Sequence, residues 1–322
     1  HFGAERPKTR YGHAWWINLK PFPDPFGEYM SWHDPSYVEY VEKNPKWPDD
    51  LQHVCPLQNE LPFTTWRRYR KDGGALAAAH PTSWWLAKPG DEQIITNITT
   101  ETPFALLSGE APDALAVMGY DPEQPFYQNL WFNILNQGYL LPAIGETDGC
   151  LTGHHHIGQI VTYTRLDAQT PYSPRAMADA IKAGRSLMTS GPFIRFEMDG
   201  GTYRMGDKVQ LDGKPHTLNI EVWSASDPDE CLSWVVVYRN GEVFHTRDLR
   251  ASPVRHLAFD LPVQEKDAYA WYVVKAYGKV GPQDPAWVDV FKYVALCEKE
   301  SHDEYRYLKQ VAFTNPIWFL PP

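Results

Sequence analysis

Apolar and polar residues follow two rhythms along this chain, and the change falls near residue 190. Before it, short apolar runs end on polar or turn residues: 13–19, 73–79 leading into His80-Pro81, 113–118, and 140–144 leading into Gly145-Glu146-Thr147-Asp148. Runs of this length, bounded by turn residues, predict buried strands. Helical signals lie between them. The segment 65–70 stops at Gly73-Gly74, and 129–137 is closed by Gly138. The segment 173–184 has Ser173 as N-cap, Pro174 at the first position and Gly184 just past the end. Strand and helix in alternation predict an α/β layer or barrel. Residues 1–30 are apolar bursts broken by Pro21, Pro23 and Pro25, and 31–62 read as an elaborated loop.

Beyond Gly191-Pro192 the alternation has period two. It is clearest at 217–223 and 234–238, and Asn240-Gly241 then supplies a pair suited to a type I′ hairpin turn. The pattern resumes at 270–277 and 311–319. Strands at this spacing predict a β-sandwich. The expected fold class is therefore α/β plus all-β. A partial barrel over 1–192 is followed by a C-terminal β-sandwich over 193–322.

Composition narrows the choices. At 322 residues the chain can build one large or two ordinary cores. A 14% aromatic content with 13 Trp favours ring platforms or extensive β structure. The net charge of −10, without any Lys/Arg block, argues against a nucleic-acid groove. No apolar run approaches the roughly 20 residues of a membrane span. Cys55, Cys150, Cys231 and Cys297 are scattered, with no C-x-x-C pair, and leave the redox compartment open. The chain opens on His1 without a signal-peptide pattern, which reads as a processed or truncated product. With the aromatic, proline-rich composition, that points to a periplasmic or extracellular setting.

Several residues have the chemistry of a site. Asp148 and Glu146 stand at a strand tip, where a carboxylate ligates a divalent ion or acts as a general base. The plainer reading is a helix N-cap or a surface turn acid. Pro81 holds His80 extended at its own strand end, against the plainer reading of a core histidine. His13 opens its strand, with Glu5 eight positions upstream. In an extended segment His154 and His156 would share a face. Cys150 is a soft ligand or an inert buried thiol. Arg185 either binds an anionic substrate group or caps the preceding helix. There is no G-x-S-x-G, P-loop or dinucleotide fingerprint.

Taken in order, four segments carry a resemblance. They are Glu5…Tyr11-Gly12-His13, Ala79-His80-Pro81, Gly145-Glu146-Thr147-Asp148, and Ala180-Ile181-Lys182-Ala183-Gly184-Arg185-Ser186…Thr189-Ser190-Gly191-Pro192. Together they resemble the PHP (polymerase and histidinol phosphatase) superfamily, in its CehA/McbA-type metallohydrolase branch. The resemblance implies a distorted, TIM-like (β/α) barrel holding two or three divalent ions, Zn, Mn or Fe. It implies hydrolysis of a phosphoester, ester or carbamate by metal-activated water. Glu5, His13, His80 and Asp148 become metal ligands, with Cys150 and His154 as further metal candidates. Asp148 and Arg185 become the catalytic candidates.

The family's opening His-x-His pair and following Asp-His motif have no match, and its closing Asp-x-His is Asp148-Gly149-Cys150 here. The expectation is a barrel whose first segment was cut away or is supplied by another chain, acting as a metal-dependent hydrolase. The alternative is a catalytically degenerate subunit of a larger assembly that binds carbohydrate or protein. Expected partners are a small-molecule or oligosaccharide-like substrate and a second chain or homo-oligomer, with no nucleic acid.

Overall fold

The computed structural model describes residues 4–5, 13–17, 73–79, 112–119, 125–147, 158–224, 231–266, 269–278 and 310–322. The strands in chain order are β1 (Ala4–Glu5), β2 (His13–Ile17), β3 (Ala75–Ala79), β4 (Ala114–Met118), β5 (Ala143–Gly145), β6 (Val161–Thr164), β7 (Ser186–Thr189), β8 (Phe193–Met198) and β9 (Tyr203–Arg204). They continue with β10 (Lys208–Gln210), β11 (His216–Trp223), β12 (Trp234–Arg239), β13 (Glu242–Asp248), β14 (His256–Val263), β15 (Ala270–Tyr277), β16 (Val311–Thr314) and β17 (Ile317–Leu320). Two helices accompany them among the described residues, α1 (Pro125–Asn136) and α2 (Pro174–Lys182). The molecule is mostly β.

The strands form three sheets. Sheet I has the order β1-β2-β3-β4-β5. Its strands β3, β4 and β5 are parallel, whereas β2 is antiparallel to both β1 and β3. Sheet II has eight strands, running β10-β17-β15-β16-β7-β6, with β12 and β13 added on the other side of β15. Sheet III is β14-β11-β8-β9.

The expected TIM-like barrel does not form. Among the described residues, β1 and β5 end sheet I without pairing to each other. Two features keep the sheet open. The reversal at β2 breaks the parallel run a barrel needs, and the outer edge of β5 is occupied by side chains. Asn315 Oδ1 accepts the Ala143 N–H at 2.7 Å, and its Nδ2 donates to the Ala143 carbonyl at 2.8 Å. Two positions on, Thr162 Oγ1 accepts the Gly145 N–H at 2.9 Å and donates to the Gly145 carbonyl at 2.7 Å. The ladder groups of β5 are satisfied without another strand, which leaves no edge for closure.

Packing is layered. Ala77, Ala114, Ala116 and Ile144 of sheet I meet Ile181 of α2 on one face. The small side chains let the helix approach closely. The other face, with Ala78, Leu115, Val117 and Ala143, shares a core with Trp131, Phe132 and Leu135 of α1 and with Trp234, Val236, Trp271, Val273 and Phe313 of sheet II. Helix α1 thus lies between two sheets, not on the outside of a barrel. Opposite-parity residues of sheet II, among them Val235, Val237, Tyr272 and Val274, bury against Ile194, Phe196, Leu218, Ile220 and Val222 of sheet III. Strand β15 is buried along its whole length because it has packed layers on both sides. Strands from both sides of residue 192 share sheet II, with β6 and β7 before it and the other six after.

Candidate functional site

Strand direction brings one edge of sheet I together. β3, β4 and β5 end there, the antiparallel β2 begins there, and β1 ends there. The register sets His13 opposite Ala79 and Glu5 opposite Trp15, so Glu5 lies one strand over from His13 and two positions along. The next residue in the chain after Ala79 is His80, and Asp148 follows Thr147. His80, Asp148, Cys150 and His154 themselves lie outside the described residues.

The described part of the edge is built around Gly119 and Glu146. The Glu146 N–H donates to the Met118 carbonyl at 2.9 Å, continuing the β4–β5 ladder past the strand end. The Glu146 side chain then folds across Gly119. A Cβ at position 119 would stand 3.1 Å from Glu146 Oε1 and 3.6 Å from Tyr127 Cε2. Glycine at 119 leaves room for the carboxylate to lie over the backbone beside the buried Tyr127. Thr147 Oγ1 donates to the Ile160 carbonyl at 2.9 Å, fixing the residue that precedes Asp148.

The end of sheet II lies on the same side. Asn315 joins Ala143 to Ser186, and the Gly145 Cα abuts Met188, so β7 runs alongside β5 in the same sense. Following the antiparallel pairs β7–β16 and β16–β15, the C-terminal end of β15 points toward this edge as well. Lys275 sits near that end, buried, with Nζ 2.8 Å from Gln128 Oε1 and the rings of Tyr277 and Phe313 at 4.9 and 5.2 Å. Burying an ammonium is favourable only where such groups replace its water.

Arg185 is not brought to this edge. It precedes β7 and therefore stands at the opposite end of that strand. It donates to Asp167 Oδ2 at 2.9 Å with both side chains partly exposed. The guanidinium is tied to a surface carboxylate, roughly 10 Å of strand away from the Gly145 level. The expected metal centre is also not assembled by the described residues, among which no group of three or more His, Cys, Asp or Glu could hold a metal ion.

Gly119, Tyr127 and Lys275 escaped the sequence reading. Signals were available for two of them. Gly119 directly follows the apolar run 114–118, and Lys275 is the single charged residue in the strand Ala270–Tyr277. Tyr127 carries no such mark, since its position depends on how α1 crosses sheet I.

Neither the protein-family models nor the curated proteins give a match to this chain. Among the described residues no helix is long and apolar enough to cross a membrane.

Proposed function

We propose that this chain is a divalent-metal-dependent hydrolase cleaving a phosphoester, ester or carbamate bond, with its site at the shared edge of β1 to β5. The strand register carries the proposal. It puts Glu5 and His13 at neighbouring positions of one edge, where the strands leading into His80 and Asp148 also end. Carboxylate oxygen and imidazole nitrogen are donors of the type that such an ion takes, so the residues fit the group in kind. Glu5, His13, His80 and Asp148 would hold it, in the ligand order of the PHP superfamily though not on that superfamily's barrel. Once bound, the ion supplies a water of lowered pKa and positive charge at the attacked centre. Glu146, laid over Gly119, borders this edge and orients what binds there by accepting a hydrogen bond. Tyr127 excludes water from beneath it.

The test uses the full chain, stripped with chelator and then supplied with divalent transition-metal ions. Expected are retention of metal, a raised melting temperature, and hydrolysis of p-nitrophenyl phosphate, acetate or a carbamate analogue. His13→Ala and Asp148→Ala should abolish all three. A protein that retains no metal under non-chelating conditions and does not shift its melting temperature overturns the proposal.

A further inference from the structure

Sheet III presents one face to the core and one to solvent. Along β8 and β11, Ile194, Phe196, Met198, Leu218, Ile220 and Val222 point inward. The alternate positions face out. At one end of that outer face the strand pairing sets Trp223 opposite both Phe193 and His256. The ring centroids are 6.0 Å apart for Phe193–Trp223 and 5.4 Å for Trp223–His256, and Tyr163 of β6 extends the row at 5.7 Å from Phe193. Four rings thus run in one contiguous row across β6, β8, β11 and β14, at interplanar angles of 74° for Tyr163–Phe193, 53° for Phe193–Trp223 and 24° for Trp223–His256. Tyr163 is 55% and Phe193 43% exposed.

Hydrogen-bonding groups border the rings. Arg195 pairs with Glu221 and lies 5.7 Å from the centre of the Trp223 ring, and His256 Nε2 is 2.9 Å from Glu221 Oε1. Further along the face, Arg204 pairs with Glu197 at 3.1 Å and Asn219 donates to Asp260 at 2.8 Å.

We propose that this outer face binds a neutral oligosaccharide along the row Tyr163, Phe193, Trp223 and His256. Charge decides the class of ligand. The guanidinium groups of Arg195 and Arg204 are matched within the face by the carboxylates of Glu197 and Glu221, and Asp260 adds another negative group. Among the described residues, the guanidinium groups of Arg195 and Arg204 that border the row are thus already paired, which disfavours a polyanion. The centre of a protein–protein interface is depleted of charged residues, whereas these rings are flanked by them. A sugar meets both conditions. Its C–H faces pack on aromatic rings, while its hydroxyls both donate and accept and so suit paired Arg, Glu, Asn and Asp groups. Cross-strand ring pairing stabilises a sheet in its own right and accounts for Trp223 between its neighbours. It does not account for two large rings left about half exposed at the end of the row.

The experiment is native electrophoresis of the full chain in gels cast with soluble uncharged polysaccharides: mixed-linkage β-glucan, glucomannan, arabinoxylan and galactomannan. Binding constants then come from calorimetry with the matching oligosaccharides. Expected is retardation by at least one polysaccharide, unchanged by chelator. Affinity should fall at least tenfold in Tyr163→Ala and further with Phe193→Ala, at wild-type melting temperature. Phe244→Ala, on a different strand, should bind as wild type. If Phe193→Ala fails to fold, Tyr163→Ala on the edge strand and Arg195→Ala carry the same comparison. Wild-type mobility unchanged in all four gels overturns the proposal. Retardation that survives these substitutions, or that chelator removes, overturns it too.

Discussion

Asn315 shows how much one side chain can hold. Fully buried, it satisfies both main-chain groups of Ala143 in sheet I and the carbonyl of Ser186 in sheet II, at 2.7, 2.8 and 2.8 Å. It stands before Pro316, whose missing N–H interrupts the run 311–320 and splits it into β16 and β17. Asn315→Ala leaves both buried main-chain groups of Ala143 without partners and takes from the Ser186 carbonyl its side-chain donor, leaving it only the Asn315 N–H at 3.3 Å; it should destabilise by roughly 3 kcal/mol. Asn315→Leu should do no better, because volume does not replace the hydrogen bonds; urea unfolding checks both. Glu265 makes a contrasting case, in which pH is the variable. The Arg239 guanidinium donates to both its oxygens at 2.6 Å, and Tyr272 adds its hydroxyl at 2.5 Å. The Arg239 hydrogen bonds hold the Glu265 carboxyl below its ordinary value of 4.5, outweighing a desolvation that acts the other way. A depressed folded value means stability that is present above the unfolded value and lost as pH falls through the folded one. Melting temperatures measured downward from about pH 5 should fall less steeply in Glu265→Gln than in wild type, from a lower starting point at neutral pH. Parallel curves would show that Glu265 contributes nothing to the acid limb.

At the level of elements, what the sequence discloses is what local chemistry decides. Helix α2 has the expected caps: the Ser173 side chain accepts the Ala176 N–H, Pro174 opens the helix and Gly184 takes a φ of 71°. Gly184→Ala would strain that φ and bring a Cβ to 3.2 Å from Trp318 and 3.3 Å from the Gly206 Cα. A loss of roughly 1–3 kcal/mol in thermal unfolding is expected. The Asn240-Gly241 turn is equally local, with φ of 51° and 84° joining β12 to β13. The strand ends at Ala79 and Gly145 were legible too, because Pro81 and the polar Glu-Thr-Asp stop their apolar runs. The pairing of those strands was not. Nothing local in residues 4–17 says that β2 will run antiparallel against β3, some sixty residues on, and that reversal defeats the barrel. Nor does the sequence near Thr162 announce that its hydroxyl will take the place of a strand beside Gly145. Thr162→Val keeps the shape and removes that hydroxyl. It should cost about 1–3 kcal/mol and, by loosening β5 at its Glu146 end, weaken divalent-ion binding more than it weakens the fold. Equal binding at unchanged stability would refute the role given to Thr162.

Across the whole molecule, the question is whether the sheet I edge and the distant sheet III belong to one cooperative unit. The shared core answers it physically. Leu115, Val117 and Ala143 of sheet I, the rings of α1, and Trp234, Trp271 and Phe313 of sheet II are buried together. The opposite face of sheet II is buried against sheet III. No layer can be exposed without stripping apolar surface from the next, and each large side chain so uncovered costs about 1.5–3 kcal/mol. Sheet II also draws strands from both sides of residue 192 and cannot melt as half of a chain. An ion bound at the edge of sheet I should therefore stabilise everything. At a free concentration of 100 times its Kd the gain is about 2.7 kcal/mol, which for a chain of this size raises the melting temperature by roughly 4 °C. Far-UV circular dichroism weighs the strands of all three sheets, whereas tryptophan fluorescence sums the 13 Trp of the chain, with Trp131, Trp234, Trp271 and Trp318 reporting the shared core. Both signals should show one coincident transition, shifted together by the ion and unshifted in His13→Ala. Two transitions, with only the earlier or later one moving, would mean that the core common to sheets I and II does not couple them. The division near residue 192 would then be thermodynamic as well as a change of sequence rhythm.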